Sequence, residues 1–178
     1  GINPQTTLVE GPTLMSIATG AQVTLRQMTF RNATQSALVV SGGLFTEGMA
    51  FDGNVGGPVG AVMITNTGTA TFTDTVFRDN VSTFNGPGAI RVSGDTTIRD
   101  GAFYRNTAAP AALGGGAVFV PDAVDVVIDA SYFEGNVALN GGALTFTGSG
   151  ASSLRITNST FYANESLGSF GAIRSFTT

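Results

Sequence analysis

The chain has 178 residues, 12 acidic and 8 basic side chains, a formal net charge of −4, and no cysteine or histidine. Without those two residue types there is no Ser/His/Asp or Cys/His nucleophilic machinery, no disulfide, and no zinc site built on thiolate or imidazole. The basic residues are scattered arginines that form no stripe to neutralise phosphates, and no apolar run approaches the roughly 18 residues of a membrane span, so neither nucleic-acid binding nor membrane insertion by this segment is expected.

In chain order, residues 1–22 read as a degenerate N-terminal coil or cap and residues 23–178 as one repeat region. Leu14 to Leu25 loosely matches Leu144 to Ile156, so the array is expected to start before its first marked unit. That unit is a weak copy: Leu25, then Phe30-Arg-Asn32 with the interval shortened by one residue, then Ser36-Ala37-Leu38. The full pattern Phe-x-x-Asn follows at Phe51 and Asn54, Phe77 and Asn80, Phe103 and Asn106, Phe133 and Asn136, and Phe161 and Asn164, with the phenylalanines 26, 26, 30 and 28 residues apart. After each comes Gly-Ala-aliphatic, at Gly60-Ala61-Val62, Gly88-Ala89-Ile90, Gly116-Ala117-Val118, Gly142-Ala143-Leu144 and Gly171-Ala172-Ile173. A third marker stands five residues before a phenylalanine, at Phe72, Ile98, Ile128 and Ile156.

Three markers in one phase indicate a solenoid. Short β-branched and aromatic runs broken by Gly, Asn, Asp and Ser indicate strands and turns, and nothing sustains helical spacing beyond about one turn. Three strands of roughly 4 to 5 residues fill one repeat, so the predicted architecture is all-β: a right-handed single-stranded parallel β-helix of about six coils with three short strands per coil. Stacked phenylalanines then fill the interior, and each asparagine sits at a corner, its amide donating to the asparagine of the next coil. The Gly-Ala pair is expected to mark a bend with a small inward side chain, the aliphatic residue after it pointing elsewhere. The long run between Asn106 and Gly116 predicts a protruding corner loop. The chain starts without Met and stops where another strand would begin, which reads as a segment excised from a longer protein.

At these motifs the chain resembles the repeat region of the chlamydial polymorphic outer-membrane proteins, whose hallmarks are multiple Phe-x-x-Asn and Gly-Gly-Ala-[Ile/Leu/Val] tetrapeptides. Gly115-Gly-Ala-Val118 and Gly141-Gly-Ala-Leu144 match the second hallmark in full, whereas Val59-Gly-Ala-Val62, Pro87-Gly-Ala-Ile90 and Phe170-Gly-Ala-Ile173 lack its first glycine. The two motifs together cover about residues 25–175. The resemblance implies a surface-exposed, adhesive passenger; the membrane-anchoring barrel of such proteins has no counterpart in this sequence.

The remaining chemistry is carboxylates, arginines and tyrosines, a set that suffices for a polysaccharide lyase or a glycoside hydrolase on acidic glycans. Asp74 and Asp100 share a position three residues before phenylalanine, as does Asn158, so they are expected to stack, either as a paired-acid site or as corner residues bonding their own backbone. Asp122, Asp125 and Asp129 form the densest acidic run, read as the solvent face of a loop and strand in preference to a calcium site. Arg91, Arg99 and Arg105 read as surface residues in preference to a lyase base. Sequons occur at Asn32, Asn80, Asn158 and Asn164; the ladder is expected to bury all but Asn158. No metal and no cofactor are expected. The leading expectation is a non-catalytic extracellular or cell-surface module that binds a glycan or a host or cell-surface protein; the alternatives are the enzyme and a structural spacer whose coils stack end to end.

Overall fold

The computed structural model describes residues 7–12, 14–110, 113–148, 150–168 and 170–176. Among them every regular element is a strand, all pairing is parallel, and the sheets stack as a β-solenoid of about six turns. Three walls run the length of the molecule. The first contains Thr7–Glu10, Met28–Arg31, Ala50–Asp52, Val76–Arg78, Ala102–Tyr104, Tyr132–Glu134 and Thr160–Tyr162. The second runs from Met15–Ile17 through Leu38–Val40, Val62–Ile64, Ile90–Val92, Val118–Val120 and Leu144–Phe146 to Ile173–Ser175. The third holds Gln22–Arg26, Gly43–Glu47, Thr69–Thr73, Thr96–Arg99, Asp125–Asp129 and Ser153–Thr157. A fourth, two-residue rung follows several asparagines, as at Val55–Gly56, Val81–Ser82, Val137–Ala138 and Glu165–Ser166, which three strands per coil did not anticipate.

Strand pairing puts equivalent residues in vertical register, so the sequence period becomes the core. Phe30, Phe51, Phe77, Phe103, Phe133 and Phe161 pair one above the next, with Val9 extending the column into the first turn. From Phe51 onward the rings lie 4.9, 4.9, 4.5 and 4.5 Å apart and within 5° of parallel, whereas Phe30 meets Phe51 edge-on at 5.6 Å. Stacking confines each ring to one rotamer and adds about 0.5–1.5 kcal/mol per pair to its burial.

The asparagine ladder runs at the corner that follows. Each of Asn54, Asn80, Asn106 and Asn136 donates its backbone N–H (3.0–3.1 Å) and its side-chain amide (2.8–2.9 Å) to Oδ1 of the asparagine one turn on. The second amide hydrogen goes to the carbonyl of the phenylalanine one turn back, Phe30 for Asn54 and Phe77 for Asn106. An interior asparagine thus uses all its side-chain polar capacity while fully buried.

Two corners carry columns of left-handed residues. Between the third and first walls stand Gln27, Gly48, Asp74, Asp100, Ala130 and Asn158; immediately before the asparagine ladder stand Asn32, Gly53, Asp79, Arg105, Gly135 and Ala163. This second column corrects the reading of the first coil. Asn32 is an exposed left-handed residue whose amide donates to Glu10, and Ala33 occupies the ladder slot, its N–H donating to Asn54 Oδ1 at 3.1 Å. The interval is not shortened there, and the Asn32 sequon is not buried.

A second correction concerns the Gly-Ala marker. From the first coil to the fifth the alanines face the interior as expected, but the aliphatic residue after each does too: Leu38, Val62, Ile90, Val118 and Leu144 are all fully buried, while Ile173 in the last coil is exposed. Period-two alternation begins only once the strand has started, and the alanine still belongs to the corner. A Cβ on Gly88 would lie 2.5 Å from the backbone nitrogen of Thr107 and from the Gly116 carbonyl oxygen, so close backbone approach fixes glycine at that position. The expected loop between Asn106 and Gly116 includes Ala111 and Ala112, which lie outside the described residues; Leu113 beside them is exposed.

Candidate functional site

The outward face of the third wall carries the surface with the clearest binding character. Alternation along each strand sends two columns of side chains outward over its first half. One contains Thr24, Phe45, Thr71, Thr97 and Val127; the other contains Gln22, Gly43, Thr69, Asp95 and Asp125. The missing side chain at Gly43 lets the Gln22 amide fold over its position, and between the columns lies a cleft of about 440 Å³.

Among the described lining residues the charged groups are Asp95 and Asp125; Arg155 follows Val127 one turn on in the same outward column, and Arg26 stands at the Phe45 ring. Asp95 Oδ1 accepts the backbone N–H of Asp125 at 3.0 Å, and Asp125 Oδ1 accepts the Ser153 hydroxyl at 2.6 Å. Each carboxylate is therefore anchored through one oxygen, and among the described residues no protein donor occupies the other. Phe45 supplies an apolar ring, with the Arg26 guanidinium 5.9 Å from its centroid and tied in turn to Glu47 at 2.8 Å. Threonine hydroxyls and the Gln22 amide complete a surface that can both donate and accept hydrogen bonds.

Asp125 is the one flagged acid that reaches this cleft. Asp122 lies at the corner between the second and third walls, beside Arg91 and Ser93. Asp129 faces the opposite corner, where its Oδ1 accepts from Thr157 at 2.6 Å and Asn158 at 2.9 Å; these bonds hold its carboxyl below the ordinary carboxylate range. Asp74 and Asp100 do stack, as exposed left-handed corner residues whose backbone N–H groups bond the next turn. Among the described residues no three acidic side chains converge on a point that could hold a metal ion. Arg105 forms a two-bond ion pair with Asp79 at 2.8 and 2.9 Å, Arg91 lies 5.8 Å from the Phe119 ring, and Arg99 is exposed.

The sequence does carry a signal for Asp95. It stands three residues before Ile98, as Asp125 stands three before Ile128. A hydroxyl ladder stands two residues before phenylalanine: Thr75, Ser131 and Ser159 each donate to the carbonyl two residues back, and Ser131 and Ser159 accept an N–H from the preceding turn.

Comparison with protein-family models, with curated proteins and with solved structures found no match. No described helix is long and apolar enough to cross a membrane.

Proposed function

We propose that the protein is a non-catalytic extracellular or cell-surface binding module whose third-wall cleft takes a neutral, hydroxyl-rich glycan. The observation that carries this reading is the pair of anchored carboxylates, each with an oxygen to spare, beside an aromatic ring, with no cation among the described residues that line the cleft. Free carboxylate oxygens accept strongly from sugar hydroxyls, while an aromatic ring packs against the C–H face of a pyranose. A polyuronate would place its own carboxylates beside Asp95 and Asp125, while the Arg26 guanidinium at the Phe45 ring is already paired with Glu47, so the acidic glycan considered from sequence fits less well than a neutral one.

Binding is favoured over hydrolysis because a glycosidase sets two carboxyls on either side of the bond it cleaves. Asp95 and Asp125 instead stand side by side on adjacent turns, each with one oxygen already committed to a structural hydrogen bond, rather than facing each other across a bound glycosidic link.

The test is a glycan array covering neutral and uronate oligosaccharides, followed by calorimetric titration of the best binder. Neutral glycans should bind, and Asp95→Asn or Phe45→Ala should weaken binding by about tenfold or more with the fold unchanged. Preference for uronates, binding indifferent to both substitutions, or carboxylate-dependent glycan cleavage would each refute the reading.

A further inference from the structure

The described segments that carry the chain from the first wall to the second, residues 33–37, 55–61, 81–89, 107–110, 113–117, 137–143, 165–168 and 170–172, stack into one edge of the solenoid. Of the 12 acidic and 8 basic residues, Glu165 alone falls within them. The same edge exposes large apolar side chains: Phe84 at 72%, Leu113 and Leu167 at 58%, and Val55 at 43%. These segments are tied to one another. Thr83 and Phe84 donate their N–H groups to the Gly56 and Gly57 carbonyls, Leu167 donates to Ala138, and the Leu113 N–H reaches Asn85 Oδ1 at 3.4 Å. Phe84 forms one side of an open hollow of about 420 Å³ lined also by Thr83, Asn85, Ala109 and Pro110.

Charge depletion around an exposed aromatic anchor is the composition of an interface core, not of ordinary solvated surface. We propose that this edge is a self-association surface on which a second copy of the chain packs across a two-fold axis, the Phe84 ring of each copy entering the hollow of the other. Two observations select a second copy as the occupant. The projecting ring and the hollow lie side by side on one edge, so the surface is complementary to itself under a two-fold rotation. The chain is also net negative, and every other face presents charged groups; here two copies meet with only Glu165 to consider, and a two-fold axis through the Phe84 region sends the two Glu165 side chains to opposite ends. The neighbouring Asp79–Arg105 ion pair, 2.8 Å long, supplies a polar rim that is already neutralised.

Sedimentation velocity across a wide concentration range tests the assignment, with Phe84→Asp, the oxidised Phe84→Cys variant, and Ile173→Asp at the open C-terminal end as comparisons. Because Phe84 is 72% exposed, both Phe84 variants should fold, and circular dichroism checks that they do. The mass of the wild-type chain should rise from 18.1 kDa toward twice that value. Phe84→Asp should stay at the lower mass, Phe84→Cys should yield a covalent dimer since the chain has no other cysteine, and Ile173→Asp should behave as wild type. A wild-type monomer at every concentration, growth beyond a dimer, or association abolished by Ile173→Asp but not by Phe84→Asp would overturn the proposal.

Discussion

Asn80 and Asn106, 26 residues apart, meet on a single atom: Oδ1 of Asn106 accepts both the backbone N–H of Asn80 at 3.1 Å and its side-chain amide at 2.9 Å. Asn106 also donates to the Phe77 carbonyl and to Asn136. Replacing Asn106 by Ala therefore orphans several buried groups at once, each costing about 1–3 kcal/mol. Urea denaturation of Asn106→Ala should show a loss of roughly 4 kcal/mol or more, and the half-buried end member Asn164→Ala a smaller one.

The phenylalanine column makes a separate prediction. Phe103 is fully buried between two stacked neighbours at 4.9 and 4.5 Å. Phe103→Ala should cost about 3–5 kcal/mol and Phe103→Leu clearly less, since leucine refills much of the volume. Equal losses for the two variants, measured by the same denaturation, would contradict a packed ring stack.

Much of this architecture is legible in the sequence because the turn length is nearly constant, so residues that share an environment recur at a visible interval. The first coil shows where that legibility ends. Asparagine suits two adjacent sites there for different reasons, the left-handed corner at Asn32 and the ladder slot that Ala33 fills. Phase alone does not separate the two. Thr46 was hidden in a different way: it breaks the aliphatic column between Leu25 and Phe72, yet sits fully buried because its hydroxyl shares a 2.9 Å hydrogen bond with Thr75. The cleft was least legible, since it depends on which outward columns lie side by side, and Asp95 becomes a partner of Asp125 only once the turns are stacked.

Left-handed corners held by residues other than glycine store strain. Ala130 is exposed with φ of 48°, at a position that Gly48 fills three coils earlier in the array. A left-handed alanine costs about 1–2 kcal/mol, partly offset by the greater unfolded-state entropy of glycine. Ala130→Gly should stabilise the fold by roughly 0.5–1 kcal/mol, raising the melting temperature by about 2 °C, and Ala130→Val should lower it.

Acid should weaken the corners through Glu10 and Asp129. The Glu10 carboxyl is held below its ordinary range first by its bond to Arg31, and Asp129 first by its bond to Thr157 and then by Asn158. For groups depressed on folding, the stabilisation is complete above the unfolded-state pKa, near pH 4, and disappears as pH falls through the lower folded-state values. Thermal melts between pH 6 and pH 2 should show the melting temperature falling only below about pH 4, with a shallower fall in Asp129→Asn.

The cleft, the charge-depleted edge and the ladders all depend on residues one turn apart lying directly over each other, and ring-to-ring contacts in solution measure this most directly. In a ¹³C-edited NOE spectrum of phenylalanine-labelled protein, Phe103 ring protons should contact those of Phe77 and Phe133, whose centroids lie 4.9 and 4.5 Å away. Rings that contact only residues near them in sequence would contradict the stacked register and everything derived from it.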